Sequence, residues 1–402
     1  MANRFLTNDE ITQEALAIFH EKTTFLRSIN TEYDSKFARN GAKIGDTLRV
    51  REPIDPQVFD GARLNTIPDV QERNRQITVD IRKHTVMKWS MHDRTLDMDN
   101  FSPRYIEPHV SNLVANIEAE VIKRATQATF NSVGTPGNPL NALSVPLAAR
   151  TKINQWLGPK DGRSIMLSSA SSATMVDALK GLFNHQAEVG KQYREGHMGR
   201  AIGFDWTESE SVHSHTNGTA TNGAVNATVT VNGTDTIVLK GVGATNTVTK
   251  GSVFTIAGVK NIHPQTKVPR PELQQFVVKE DAVAAGGVVT LKVFPEIYFQ
   301  NAPYKNVSQT PTVDAVVTWV GAPGQTYEQS LAFVKNAFTF VSVDLAMPES
   351  AKGSRKNFEG VSLRMVQQYD IVEDEETFRL DFLGGFAPIR EHWAARLWGT
   401  QV

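Results

Sequence analysis

Few residues in this chain have types and spacings that could do chemistry. His213 and His215 share a strand parity and could touch one metal ion, but no acidic or histidine partner sits at a helpful spacing, so they read as solvated loop histidines. Gly241 to Ser252, GVGATNTVTKGS, has the glycines of a phosphate loop but lacks the Gly-Lys-Ser/Thr ending and a following helix, and reads as a turn between strands. The acidic run Asp374–Glu376 could hold a cation, yet it falls in an expected hairpin turn, where solvated charges are the rule. His185 and His197 have no supporting neighbours, and no Ser-His-Asp spacing or nucleophile elbow can be picked out. The absence of cysteine removes thiol nucleophiles, thiolate metal sites and disulfides. Asn217, Asn226, Asn232 and Asn306 begin glycosylation triplets that carry no meaning without secretion. The sequence therefore points to no catalytic, cofactor-binding or metal-binding residue, and to a protein that is not an enzyme.

Composition narrows the partners. With 42 Lys plus Arg against 43 Asp plus Glu, the formal charge of −1 gives no global attraction to nucleic acid or to an anionic membrane. The first residues, MANRFLTNDEITQEALAIF, are charged throughout and hold no apolar run of signal-peptide length. No stretch approaches the ~18 apolar residues of a membrane span, and the chain reads as soluble and made in the cytoplasm.

The element around which the rest is organised is a long helix expected over Pro103–Phe130. Ile106, Val110, Leu113, Val114, Ile117, Val121 and Ile122 fall on one face. Ser102 is placed to cap it, and Pro108, which lacks the amide that would bond back to Arg104, predicts a kink. Before it, a helix from Asn8 to about Lys22 carries Ile11, Ala15, Ile18 and Phe19 on one face and Asp9, Glu10 and Glu14 near its start. That stripe must lie against its own domain or against another subunit. A short strand within Gly41–Pro53 and a longer one over Ile77–Trp89 bracket a charged, proline-broken tip at 53–75, an extended arm bearing Arg63, Arg73 and Arg75. A helix at Leu147–Leu157 with Ile153, Trp156 and Leu157 inward, a strand at Ile165–Leu167 and a helix at Ser171–Phe183 suggest an α/β unit.

At about Ser211 the composition turns to Thr, Val, Asn and Gly without a helical period. Asn232-Gly233 lies between alternating runs as a hairpin signal, and further strands follow at Val253, Gln274 and Val288. Residues 212–321 read as an inserted all-β domain, with Val229, Val231, Phe254, Ile256, Phe276, Val278, Leu291 and Val293 as its core. Strands then resume within 337–348, 361–372 and 376–386, and a last helix is expected from Pro388, with Ile389, Trp393 and Leu397 at helical spacing.

Several words of the sequence, in order, match a known family: KIGDTLRVREP, NFSPRYIEP, DGRSIMLSSAS, YREGHMGRAIGFD, GSVFTIAGV with LQQFVV, and GVSLRMVQQYDI with ETFRLDFLGGF. With these the chain resembles the tailed-phage major capsid proteins related to the coat protein of Salmonella phage P-twenty-two. The resemblance implies an α+β Hong Kong ninety-seven-type capsid fold with an inserted β-barrel-like domain. It names 1–39 an N-terminal arm, 40–90 an extended loop, and 91–146 a peripheral domain with a spine helix. It makes 147–211 and 322–402 the axial domain plus remaining peripheral strands. It further implies a virion protein assembled in the host bacterial cytoplasm, as hexamers and pentamers of an icosahedral shell. The implied partners are a scaffolding protein, a portal protein at one vertex, packaged double-stranded DNA in weak non-specific contact and, as a further candidate, a decoration protein; no membrane and no cofactor are implied. Arg63, Arg73, Arg75, Asp9, Glu10, Glu14, Ile11 and Ile18 are the candidates for subunit contact. Two rival classes stay open: another virion protein such as a tail tube component, and an extracellular hydrolase with a carbohydrate-binding β module.

Overall fold

A computed structural model describes residues 8–31, 47–51, 74–90, 106–179, 199–300, 304–348 and 352–402. The chain divides into two compact units, one of Met1–Arg51, Asn74–Val121 and Phe338–Ile389, the other of Glu52–Arg73, Ile122–Ala337 and Arg390–Val402.

The first unit is built on a five-stranded antiparallel sheet. Its centre is the long strand Glu375–Pro388, which pairs with Phe338–Ser342, Val361–Asp370 and Ile81–Ser90, while Lys352–Phe358 pairs outside Val361–Asp370. Alternating residues of the strands, Leu363, Met365, Phe378, Leu380 and Phe382, are buried, which is the period-2 consequence of covering one face. The helix Asn8–Lys22 lies on this sheet: Ile11, Ala15, Leu16 and Phe19 are buried, and the Phe19 ring stacks on Phe382 at 6.1 Å. Thr47–Arg51 and Asn74–Thr78 pair antiparallel, Val50 opposite Arg75, and bracket the 52–73 tip, which lies outside the described residues.

One expectation for this unit needs correcting. The strand expected unbroken over Ile77–Trp89 is two strands, Asn74–Thr78 and Ile81–Ser90, interrupted at Val79-Asp80 as the chain passes from one ladder to another. The spine helix spans Glu107–Ala128, 22 residues, or about 33 Å. Ile106 is already helical ahead of Glu107, and Ser102 and Pro103 lie outside the described residues, so the expected start and the expected kink near Pro108 fall at the edge of what the structure describes. Val110, Leu113, Val114, Ile117, Val121 and Ile122 are all buried, as the spacing predicts.

In the second unit a seven-stranded sheet runs in the order Ser132–Val133, Ala394–Gln401, Thr326–Val334, Arg163–Leu167, Phe204–Glu208, Arg200–Ala201, and His213–Thr216 also pairs with Thr326–Val334. Helices Ser144–Gln155 and Ser169–Leu179 supply Ile153 and Met175 to a core with Ile165, Leu167, Phe204, Trp206 and Leu397. Beside it stands a closed six-stranded barrel: Thr234–Lys240, Val288–Ile297, Pro269–Val278, Val253–Ile262, Val316–Trp319 and Gly223–Val225. Phe254, Ile256, Phe276, Val278, Leu291 and Val293 are fully buried inside it. The chain reaches the barrel at Thr216 and leaves it at Thr326, and these residues are ladder partners. Asn217 fastens the crossing, its amide nitrogen donating to Val320 O at 3.0 Å and Ala322 O at 3.2 Å.

Four sequence expectations fail here. Val231 is 66% exposed and Val229 only partly buried, because 226–233 makes no ladder; Asn232 Oδ1 instead accepts the Phe299 and Gln300 amides and Gly233 donates to Ile297 O. The Asn232-Gly233 turn therefore does not close the expected hairpin. The last helix is replaced by a short 3-10 turn, Glu391–Trp393, and the strand Ala394–Gln401, whose ladder with Thr326–Val334 wins over the helical spacing of Ile389, Trp393 and Leu397. Leu157 turns outward at φ 58°, 43% exposed, ending its helix rather than joining the core.

Candidate functional site

The histidines are not solvated. The strand His213–Thr216 sets His213 opposite Gln329 and His215 opposite Tyr327, and His215 is buried with Nε2 3.4 Å from Ser252 Oγ. Burial first, then the positive charges of Lys123 and Arg396, push the His213 imidazole down to about 4. Burial, then Arg396 and His213, push His215 down to about 3. Both rings are neutral at pH 7. Their charged neighbours are cations, and among the described residues no group of three His, Cys, Asp or Glu could hold a metal ion.

The polar centre of this sheet is Arg396, which the sequence analysis missed. It is fully buried; Nε donates to Thr129 O at 2.6 Å, and Nη1 to Gly251 O at 2.7 Å and Gln329 Oε1 at 3.1 Å. Burial lowers its guanidinium to about 9. One cation thus ties the residue after the spine helix, a barrel turn and the central sheet strand. No sequence signal marks it, since the stretch that holds it reads in the sequence as a helix rather than as a buried strand.

The remaining chemical candidates also resolve into structure. Gly241 donates to Gly287 O and Asn246 to Val242 O, and Thr247–Val248 pairs with Ala282–Val283, so the glycine-rich stretch is a β connection. In the acidic run Asp374, at φ 52°, accepts the Tyr369 hydroxyl at 2.8 Å, Glu375 pairs with Lys88, and Glu376 is buried against Gln367. Only the turn itself has the solvated character expected of the whole run.

What the first unit does present is surface. At the end of the Val361–Asp370 and Glu375–Pro388 ribbon, Ile371 and Val372 are 82% and 83% exposed, flanked by Asp370, Glu373 and Asp374. Two adjacent aliphatic side chains in an acidic turn were the available signal. Of the subunit-contact candidates, Arg63 and Arg73 lie outside the described residues, and Arg75 is half-buried in its ladder. Asp9 pairs with Lys356 at 3.3 Å, Glu10, Glu14 and Ile18 are half-buried, and Ile11 is buried on its own unit.

The described residues thus present a sheet with an exposed ribbon end, a two-stranded antiparallel pair and a self-closed barrel. The chain belongs to the P22 coat protein family, described as "P22 coat protein - gene protein 5", whose profile matches residues 72–397. It is accordingly a major capsid protein of a tailed bacteriophage, a component of the virion's multimeric shell. Similar solved structures include Mycobacterium phage Che8, at 11% identity and TM-score 0.49, covering 93% of this chain and 90% of that chain. Another is the capsid of Ralstonia phage GP4, at 6% identity and TM-score 0.48, covering 95% and 92%. A third is the capsid of Cyanophage P-SCSP1u, at 10% identity and TM-score 0.45, covering 88% and 83%. No curated protein matches the chain.

Proposed function

We propose that the chain assembles as hexamers and pentamers of a closed icosahedral shell around double-stranded DNA, in the host bacterial cytoplasm and without covalent crosslinks between subunits. A scaffolding protein directs closure, a portal protein replaces one pentamer, and a decoration protein is a further candidate partner on the outer surface. The DNA contact is weak and non-specific, in keeping with a net charge of −1. The observation that carries the reading is family membership over 72–397. It is supported by surfaces a lone subunit leaves uncovered, Ile371 and Val372 foremost. The arm at 40–90, with Arg63, Arg73 and Arg75, is the proposed reach to a neighbour, and 212–321 the proposed autonomous insert.

Electron microscopy of the purified chain, alone and with a candidate scaffolding protein, tests this. Closed shells or curved sheets of hexamers are expected. Rings or tubes would transfer the chain to the tail-tube class, and a monodisperse monomer under both conditions would overturn the proposal.

A further inference from the structure

The insert is pinned where its two crossing segments meet. Asn217, 7% exposed, donates its backbone amide to Gln325 O at 2.9 Å and its side-chain nitrogen to Val320 O at 3.0 Å and Ala322 O at 3.2 Å. Those last two carbonyls fix which way the carboxamide faces, since the opposite orientation would set Oδ1 against two other oxygens. Gly321 makes the approach possible: its φ is 88°, and a Cβ there would lie 2.5 Å from Asn217 Nδ2. Oδ1 therefore points away from the two carbonyls; it is buried, and no described residue donates to it. A buried acceptor in that position needs a donor to offset its lost hydration.

The fold provides a place for that donor. Asn217 walls a cavity of about 10 Å³ whose other lining residues include Ala220, Thr247, Val248, Ser252 and Trp319. That is room for the centre of one water molecule and for nothing larger. Among the described residues no carboxylate lines it, so water suits it better than a cation. The further polar partners that a buried water needs are at hand. Ser252 is buried, and its hydroxyl, with Thr249 Oγ1 at 3.0 Å and His215 Nε2 at 3.4 Å, lies at the same wall. Thr247 O accepts the Ala220 amide at 3.0 Å, which uses one of its two lone pairs. We propose that this cavity is a binding site for a single water molecule, which donates to Asn217 Oδ1 and bonds to Thr247 and Ser252. The water joins the entering segment at 217 to the barrel connection at 247–252, so the root of the insert is held by a ligand as well as by its ladder. The inference concerns one chain and stands apart from the shell-forming reading.

The direct test is a density map of the full chain, assembled or soluble, at a resolution that shows ordered water. A peak inside the cavity within hydrogen-bond distance of Asn217 Oδ1 is expected. A bare oxygen there, in a map that shows other buried waters, would overturn the proposal. Ala220→Ser carries the test into solution, because a hydroxyl on the cavity wall takes the water's place and donates to Oδ1 in its stead. Magnetic relaxation dispersion of water oxygen should count one fewer long-lived water in the variant than in the parent chain, with a melting temperature unchanged or higher. An unchanged count would contradict the site. Should the variant fail to fold, the density of the parent chain decides alone.

Discussion

The barrel and the seven-stranded sheet from which it branches are both β-structures of one unit, but they are held together differently. The barrel closes its ladder on itself and fills the interior with aliphatic and aromatic side chains; Phe254 and Phe276 stack at 5.7 Å at its centre. The sheet is open and buries polar groups, Arg396, Gln329 and His215, whose partners come from different elements. A closed apolar core draws its stability from packing alone. A buried polar face draws it from matching donors to acceptors, which makes it sensitive to charge.

The sharpest way to break this contrast is Phe254→Ala, which should cost about 3–5 kcal/mol by leaving a cavity in a core that cannot collapse around it. A loss below about 1 kcal/mol in denaturant titration would mean the barrel is loosely filled. Next, Arg396→Met should cost about 2–4 kcal/mol, because the Thr129 and Gly251 carbonyls lose their charged donor. If the variant is as stable as the parent, the polar node is dispensable and the comparison falls.

Acid provides the third test. His213 and His215 titrate near 6.5 when unfolded but near 4 and 3 when folded, so between those values the unfolded chain binds protons that the folded chain does not. Stability should therefore fall as pH drops below about 6.5 and level off below about 3, with a slope of up to about 1.4 kcal/mol per pH unit for each imidazole. The double variant His213→Gln with His215→Gln should lose this part of the acid sensitivity, and an identical pH profile would contradict the assignment. The smallest effect belongs to Val231→Ala, which should stay within about 0.5 kcal/mol since the side chain is 66% exposed. A larger loss in thermal melts would show that 226–233 contributes to the core after all.

The same contrast explains what the sequence made legible. Alternation disclosed the barrel strands because one face of each meets only apolar neighbours, and the 3.6 period disclosed the spine helix because its buried stripe is continuous. Val231 misled because alternation persists in 226–233 although backbone groups there pair elsewhere, Val229 with Pro311 and Gly233 with Ile297. The C-terminal strand misled for the opposite reason: it is buried on both faces from Ala394 to Gly399, so period 2 is erased and the spacing of Ile389, Trp393 and Leu397 imitates a helix. The polar node was invisible because its members, His213, Gln329 and Arg396, come from three strands that meet only in the folded sheet. Glu118, whose carboxylate accepts the amides of Thr24, Phe25 and Leu26, was not legible either, since a lone glutamate in a helix has no local mark.

The pairing of Thr216 with Thr326 has a consequence for how such a chain can change over time. Formally, His213–Thr216 and Thr326–Val334 are the two legs of one hairpin, and everything from Asn217 to Gln325 is its loop. A lineage could thus acquire, discard or trade the barrel by a single in-frame recombination event. The remaining legs would need only a tight turn to keep their register, and the strands on either side would pass through the exchange unaltered.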